Sequence, residues 1–382
     1  MISHLRAGLF LAATFLATST ALAQPHRNEL NSTGVPPGDY SHTLRTAAEI
    51  ALPNNYDRDE TWLKLPKGQV LGATSALDID KDGKSVWLVE RCAGAGGCTN
   101  AKVNPVMKFD ASGKLVRSFG AGLMVYPHGM WVDRDGNVWV ADTQSNIERN
   151  DGMPNPAAAN AVPAGNRVLK FSPTGKLLLT LGTTGHYGKD DTHFNQPSDV
   201  ITAPNGDIFV ADGHELENLP PRIMKFDKTG KFIKSWDLCS KSAVPFDCSH
   251  SLAMDSQGRL FVADRGNSLV VIYDQDGRKL AEWKQFGKPS GLYIDKNDIL
   301  YAGDSVSSVQ EGNAFIRGVH IGSARTGEVT GFIPDVLGNP APWFPLKGTT
   351  GPEGVVADAQ GHIFVSQVAP FGQVARYTPK PK

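Results

Sequence analysis

A repeated strand pattern constrains the fold of this chain more than any other feature of its sequence. A short apolar strand that follows a tight turn recurs six times: VWLVE (86–90), VWVAD (138–142), IFVAD (208–212), LFVAD (260–264), LYAGD (300–304) and IFVSQ (363–367). Most of the preceding turns are dipeptides such as Asp135-Gly136, which tolerate the positive φ that hairpins need. Such self-similarity is typical of a repeat architecture.

The segments around these strands complete a four-stranded unit. Each copy is followed by a third strand such as RVLKFS (167–172) and a fourth such as LLLTLG (177–182). The sixth copy lacks a fourth strand, and TWLKLP (61–66) near the N-terminus fits its pattern. We therefore expect strand 61–66 to join the last blade, because ring closure protects the open sheet edges. The sequence predicts an all-β, six-bladed β-propeller over residues 61–378, and its repeats resemble NHL repeats.

The N-terminal residues precede the repeats and are predicted to be a targeting segment. Residues 1–23 combine a positive start, a short apolar run and the small-residue motif Ala21-Leu22-Ala23, so we expect a signal peptide cleaved before Gln24. Residues 24–60 are expected to form an irregular leader. No later segment approaches about 18 uninterrupted apolar residues, so no membrane span is expected. These features predict a periplasmic or secreted protein.

Four cysteines in an exported chain indicate two disulfides. Three connectivities are possible, and we expect Cys92–Cys98 and Cys239–Cys248, because each pair brackets a short loop. The formal net charge is −1 with both signs interspersed, which argues against nucleic acid as a partner. We expect a monomer that takes a small-molecule or peptide substrate.

One position at the start of each innermost strand carries residues that could bind a metal. In blade order it reads Ser75, His128, Ser198, His250, Ser290 and Glu353. Alternate blades lie about 120° apart around the ring, so three of these side chains are expected to converge near the axis. Two imidazoles and a carboxylate with an open position suit Zn²⁺ or Fe²⁺, whereas Ca²⁺ prefers more oxygen ligands. The alternative is that these residues only line the channel and bind water.

A second ring follows the second strands. It reads Glu90, Asp142, Asp212, Asp264, Asp304 and Gln367, and we expect these side chains to cap backbone N–H groups. Arg91 and Arg265 directly follow an acid of this ring, and His214 follows Asp212 after Gly213. We expect these three residues to open onto the face that carries the metal candidates. Two arginines there suit bidentate binding of a substrate carboxylate, and the alternative is that they pair with the acidic ring.

Five segments together resemble the peptidyl-α-hydroxyglycine α-amidating lyases, a family of six-bladed NHL-type propellers. They are YPHGMWVDRDGNVWVAD (126–142), HFNQPSDV (193–200), FVADG (209–213), SHSLAM (249–254) and VADRGN (262–267). The resemblance implies zinc held by three histidines on alternate blades. It also implies cleavage of the C–N bond of a C-terminal α-hydroxyglycine, which releases a peptide amide and glyoxylate.

Carried over by position, the resemblance assigns roles to individual residues. Two zinc histidines of the family match His128 and His250, and its substrate-binding arginines resemble Arg91 and Arg265. The family's third histidine falls on Glu353, and its tyrosine base falls at or near His214. The family's calcium-linked aspartate is replaced by Gly354.

These assignments predict a metal-dependent carbon–nitrogen lyase. Its expected metal ligands are His128, His250 and Glu353, and its expected base is His214, which can act near neutral pH. Two alternatives remain at this point. One is a non-catalytic propeller that binds an envelope peptide or glycan, and the other is a metal-dependent hydrolase of lactones or esters.

Overall fold

Six four-stranded antiparallel sheets make up the part of the chain that the computed structural model describes. That part comprises residues 52–92, 98, 102–150, 152–214, 220–239, 248–307, 317–335, 351–368 and 373–381, all within one compact unit. The predicted signal peptide, and the leader as far as residue 51, lie outside these residues. Within them, no helix has the length and apolar character needed to cross a membrane. The six-bladed, nearly all-β architecture predicted from the repeats is confirmed.

Each blade runs in chain order from its innermost strand to its outermost strand. Blade 1 contains β2 (Thr74–Ile79), β3 (Val86–Glu90), β4 (Val106–Phe109) and β5 (Leu115–Phe119). Blade 2 contains β6 (Pro127–Val132), β7 (Val138–Ser145), β8 (Gly165–Phe171) and β9 (Leu177–Leu181), with a 3₁₀ turn at Pro156–Ala158. Blade 3 contains β10 (Pro197–Thr202), β11 (Ile208–Asp212), β12 (Arg222–Phe226) and β13 (Phe232–Asp237).

The remaining blades repeat the pattern. Blade 4 contains β14 (Leu252–Met254), β15 (Leu260–Asp264), β16 (Leu269–Tyr273) and β17 (Lys279–Trp283). Blade 5 contains β18 (Pro289–Ile294), β19 (Ile299–Asp304), β20 (Gly318–Ser323) and β21 (Val329–Pro334). Blade 6 contains β22 (Gly354–Ala357), β23 (Ile363–Gln367) and β24 (Gln373–Pro379), and it is completed by β1 (Tyr56–Asp59).

An N-terminal strand closes the ring, but at a different place from the one predicted. Strand β1 pairs antiparallel with β24, with Tyr56 opposite Pro379, so the prediction that residues 61–66 form this strand is wrong. The apolar side chains of that segment are instead used in packing. Trp62 is buried, and its ring packs at a tilted angle against Phe109 of blade 1 and Phe364 of blade 6. The segment therefore fills the space between the first and last blades after the closing strand has ended.

The core lies between neighbouring blades. The second strands β3, β11, β15 and β23 are buried at every residue, because both faces of each sheet pack against other blades. The outermost strand β13 alternates between half-buried and exposed residues, as expected for a strand with one face toward solvent. This gradient explains why the second strands carry the clearest repeat in the sequence.

The buried acids that end the second strands hold the segments that enter the innermost strands. Asp142 accepts hydrogen bonds from the backbone N–H groups of Val125 and Tyr126, and Asp212 accepts one from Asn195. In the same way, Asp304 accepts the N–H of Lys288 at 2.8 Å. The structural role expected for this ring is confirmed at these positions, and it sets the position of the residues that follow each entering segment.

The two predicted disulfides are both present. Cys92 is bonded to Cys98, and Cys239 is bonded to Cys248. Disulfides are typical of oxidising compartments, so this finding is consistent with an extracellular location. Because Cys92 directly follows Arg91, the first disulfide also restrains the end of β3 beside the central channel.

Buried carboxylates also connect adjacent innermost strands. Asp78 of blade 1 accepts the N–H of Val132 in blade 2 at 2.6 Å, and Asp199 of blade 3 accepts the N–H of Leu252 in blade 4 at 2.8 Å. Burial raises the pKa of Asp78 to about 7, against an ordinary value of 3.8. The folded protein therefore holds a proton on this carboxyl over a pH range in which the unfolded chain has released it.

Replacing Asp78 with asparagine is expected to change how stability depends on pH. Between about pH 4 and about pH 7 the wild-type folded state binds the extra proton, so its stability falls as the pH rises through this window. The variant lacks this titration. As the pH rises from about 4 to about 7, its free energy of unfolding should therefore increase relative to that of wild type, by on the order of a few kcal/mol. Urea unfolding of both proteins at several pH values measures the difference, with Asp135→Asn as an exposed control. A difference that does not vary with pH would contradict the raised pKa of Asp78.

Candidate metal centre

Three buried histidines meet at the centre of the ring. His128 lies in β6, His250 lies two residues before β14, and His214 lies two residues after β11. One ligand nitrogen from each lies within 4.8 Å of the other two. The ring centroids of His128 and His214 are 4.3 Å apart, and those of His128 and His250 are 4.8 Å apart. Among the described residues, this is the set of metal-binding side chains whose ligand atoms come together.

Backbone carbonyls of the following blades orient two of these imidazoles. The Nδ1 atom of His128 donates to the carbonyl of Ser198 at 2.8 Å, and that of His250 donates to the carbonyl of Ser290 at 2.7 Å. Because a carbonyl can only accept, Nδ1 carries the proton in both rings and Nε2 presents its lone pair. A hydrogen bond of this kind is the usual support for a metal-binding histidine.

His214 is held in place by an unusual backbone arrangement. Gly213 has φ +119°, and a side chain there would collide with the Cα atom of Pro221 at 2.6 Å. The backbone N–H of His214 donates to the carbonyl of Gln196, whose own N–H donates to the Asn166 side chain. The imidazole therefore projects from a turn that only glycine permits at position 213.

The local electrostatics favour the neutral form of the central imidazole. Burial, together with the charges of His214, His250 and Arg91, holds the pKa of His128 well below its usual range. The Nε2 atom of His128 is buried and has no hydrogen-bond partner in the described residues. A neutral imidazole with an unused lone pair is the form that binds a metal ion.

Glu353 lies beside the histidine group, and its contacts differ from those of a simple ligand. Its Oε1 atom is 3.4 Å from Nε2 of His250 and 3.4 Å from Nη1 of Arg265. Its Oε2 atom accepts a hydrogen bond from the Ser305 hydroxyl at 2.7 Å. The set of converging ligand atoms therefore contains His214 where the sequence analysis placed Glu353, and Glu353 lies at the edge of that set.

The two predicted arginines lie at the same centre. Arg91 is buried, stacks on the ring of Tyr126 with 4.1 Å between its Cζ atom and the ring centroid, and donates from Nε to the carbonyl of Pro127. Arg265 is buried and contacts both Ser290 and Glu353. Each guanidinium is thus anchored next to a residue at the start of an innermost strand.

Two residues of this centre were not identified as site residues from the sequence. Ser305 binds Glu353, and Tyr126 supports Arg91. For Ser305 a signal was available, because it directly follows Asp304 and so occupies the repeat position of Arg91 and Arg265. Tyr126 carried no such signal, since its role depends on a stacking contact between two blades.

The residues at this centre fit a metal ion. Three buried imidazoles, two of them fixed by carbonyls, form a nitrogen-rich set, and no fourth side chain of the described residues belongs to it. Zinc sites in enzymes commonly have three protein ligands and an open position. The donor set does not resemble a calcium site, which requires several oxygen ligands.

Comparison with known proteins agrees with the repeats and with the family resemblance. An NHL repeat is matched at residues 246–273, which include His250 and strands β14 to β16. The chain is 28% identical over 351 residues to a probable peptidyl-alpha-hydroxyglycine alpha-amidating lyase of Caenorhabditis elegans, covering 87% of this chain and 90% of the relative. It is 33% identical over 279 residues to peptidyl-glycine alpha-amidating monooxygenase A of Xenopus laevis, covering 65% of this chain and 27% of that longer protein.

A solved structure shares the architecture. A gluconolactonase from Xanthomonas campestris superposes with a TM-score of 0.55 at 14% identity, covering 88% of this chain and 93% of the other. At this identity the similarity concerns the fold alone. The chain is therefore an NHL-repeat six-bladed β-propeller whose sequence resembles the peptidyl-α-hydroxyglycine α-amidating lyases over most of its length.

Proposed function

We propose that this protein is a metal-dependent lyase that cleaves a carbon–nitrogen bond in a small hydroxy-carboxylate substrate. The substrate class proposed is a peptide or acyl group that ends in α-hydroxyglycine. The observation that carries the proposal is the meeting of three buried histidines beside two anchored arginines. The relatives from Caenorhabditis elegans and Xenopus laevis support it, because their names assign them to α-amidation.

The metal would be held by His128 and His250 together with a third ligand from His214 or Glu353. Zn²⁺ suits this donor set, and Fe²⁺ is the other ion compatible with it. When bound, such an ion acts as a Lewis acid that lowers the proton affinity of the substrate hydroxyl. His214 and Glu353 both lie next to His250, so the one that does not bind the metal remains close to the bound substrate. We assign that residue as the acceptor of the hydroxyl proton.

The arginines bind and orient the substrate. Arg91 and Arg265 present charged N–H donors, which bind a carboxylate more strongly than neutral donors do. The hydroxyl gives up its proton, the carbonyl of glyoxylate forms, and the C–N bond breaks. The departing amide nitrogen takes up a proton, so the reaction needs no other reactant. Because the arginines and histidines are buried, the bound substrate is shielded from water.

The test uses purified full-length protein and a short acyl peptide that ends in α-hydroxyglycine. We expect about one metal ion per chain and release of glyoxylate together with the peptide amide. Two control substrates sharpen the result: a peptide ending in glycine, which lacks the hydroxyl, and one ending in α-hydroxyglycine amide, which lacks the carboxylate. Protein that contains no metal and releases no glyoxylate would contradict the proposal. Turnover of a lactone instead would favour the hydrolase alternative.

A further inference from the structure

We infer that His214 is the third metal ligand and that Glu353 lies outside the metal's ligand set, where it positions His250 and Arg265. This assignment reverses the roles expected from the sequence, and it rests on the proposed function in requiring that a metal binds. It places all ligands on consecutive blades 2, 3 and 4, whereas the predicted set comes from alternate blades 2, 4 and 6.

Distance is the first argument. Metal–nitrogen bonds of about 2.0–2.1 Å at tetrahedral angles place two ligand atoms about 3.4 Å apart. The ligand nitrogens of His128, His214 and His250 already lie within 4.8 Å of one another, so side-chain shifts of about 1 Å or less would complete the set. Glu353 does not belong to this group, although one of its oxygens lies 3.4 Å from Nε2 of His250.

The contacts of Glu353 are the second argument. One carboxylate oxygen accepts the Ser305 hydroxyl, and the other lies against the guanidinium of Arg265. Both oxygens of this buried carboxylate therefore already face a donor of the protein, as expected for a residue that positions its neighbours. As a positioning residue, Glu353 uses these contacts to link His250, a metal-binding histidine, to Arg265, the arginine that is proposed to hold the substrate.

The rigidity of the turn at residue 214 is the third argument. Gly213 adopts a conformation unsuited to other residues, and the N–H groups of Gly213 and His214 both donate to the carbonyl of Gln196. The side chain of Asn166 in turn binds the N–H of Gln196 and the carbonyl of Phe194. These contacts fix the backbone of His214, so its imidazole is held in one position, as a metal ligand requires.

If His214 is a ligand, it no longer serves as the base. Glu353 is then the carboxylate next to the ligands and next to Arg265, so it is the group placed to accept the hydroxyl proton of a substrate held by that arginine. The exchange accounts for the two departures from the family pattern together, because the imidazole missing at position 353 is present at position 214.

Metal binding by single variants tests the assignment without relying on activity. Apo forms of the wild type, His214→Gln and Glu353→Gln are titrated with Zn²⁺ against a competing chelator, and also with Co²⁺ to record the visible absorption spectrum. We expect His214→Gln to weaken zinc binding more than about 100-fold and to change the cobalt spectrum. Glu353→Gln should weaken binding by no more than about 10-fold and leave the spectrum unchanged.

Kinetics and a surface variant complete the experiment. Glu353→Gln is expected to lower kcat, because the amide cannot accept the hydroxyl proton, and to raise KM for the carboxylate substrate through Arg265, while its metal content stays at the wild-type value. His193→Ala, in which a half-buried loop histidine bonded to Asp190 and outside the histidine group is removed, controls for adventitious binding. Circular dichroism and thermal unfolding of each apo protein establish that the variants are folded.

The outcomes separate this inference from the proposed function. Strong loss of zinc in Glu353→Gln, alone or together with loss in His214→Gln, would overturn the inference, as would full retention of zinc in His214→Gln. Wild-type protein that binds no metal at all would instead overturn the proposed function. Wild-type protein that binds zinc but releases no glyoxylate would reject the lyase reaction, while the zinc and cobalt data would still decide the ligand assignment.

Discussion

Replacing His128 with alanine is expected to abolish both metal binding and turnover. This imidazole lies closest to both of the others by ring centroid, is neutral because of its environment, and is oriented by the carbonyl of Ser198. Loss of a Lewis acid that supplies several kcal/mol of transition-state stabilisation should lower kcat/KM by at least about 10³-fold. Metal content by elemental analysis and glyoxylate release from the α-hydroxyglycine peptide measure the two effects.

Removal of the metal by a chelator provides a matched comparison for His128→Ala. Wild-type protein treated in this way should fall to the activity of the variant and recover when Zn²⁺ is restored, whereas the variant should not recover. The control variant His193→Ala, which lies outside the histidine group, should behave as wild type in both assays. If His128→Ala keeps its metal and its turnover, the histidine group is not the catalytic centre.

Replacing Arg91 with lysine is expected to raise KM for the carboxylate substrate by about 10- to 100-fold, since a charge-assisted hydrogen bond contributes about 1.5–3 kcal/mol. Lysine keeps the charge but loses the planar set of donors and the stacking on Tyr126. The metal content should not change, because Arg91 contacts the carbonyl of Pro127 rather than supplying a ligand. Steady-state kinetics on purified protein with a fixed zinc concentration give KM and kcat separately.

The neutral substrate discriminates between binding and structural roles of Arg91. A peptide ending in α-hydroxyglycine amide lacks the carboxylate, so its weak turnover should be nearly the same for wild type and Arg91→Lys. Equal losses on the charged and neutral substrates would show that Arg91 supports the fold of the site. They would contradict its proposed contact with the carboxylate.

The repeat in the sequence was sufficient to predict the blades and much of the central ring. The second strands are buried on both faces, so each copy faces the same selection for apolar residues and the pattern can be read directly. Local cysteine spacing was likewise sufficient for both disulfides. The closing strand was misplaced because Trp62 and its neighbours are apolar for a different reason, namely packing between blades 1 and 6.

The repeat alone indicated that His128, His250 and Glu353 face the axis, because the same position of the repeat lies at the same distance from the axis in every blade. The position of the third imidazole could not be predicted in this way. His214 lies in a turn beyond the end of a second strand, where the chain no longer follows the repeat. Its approach to His128 depends on the backbone of Gly213, on the carbonyl of Gln196 and on the turn that joins them. These are contacts between chain segments brought together only by folding, so the tertiary structure alone decided which three side chains meet.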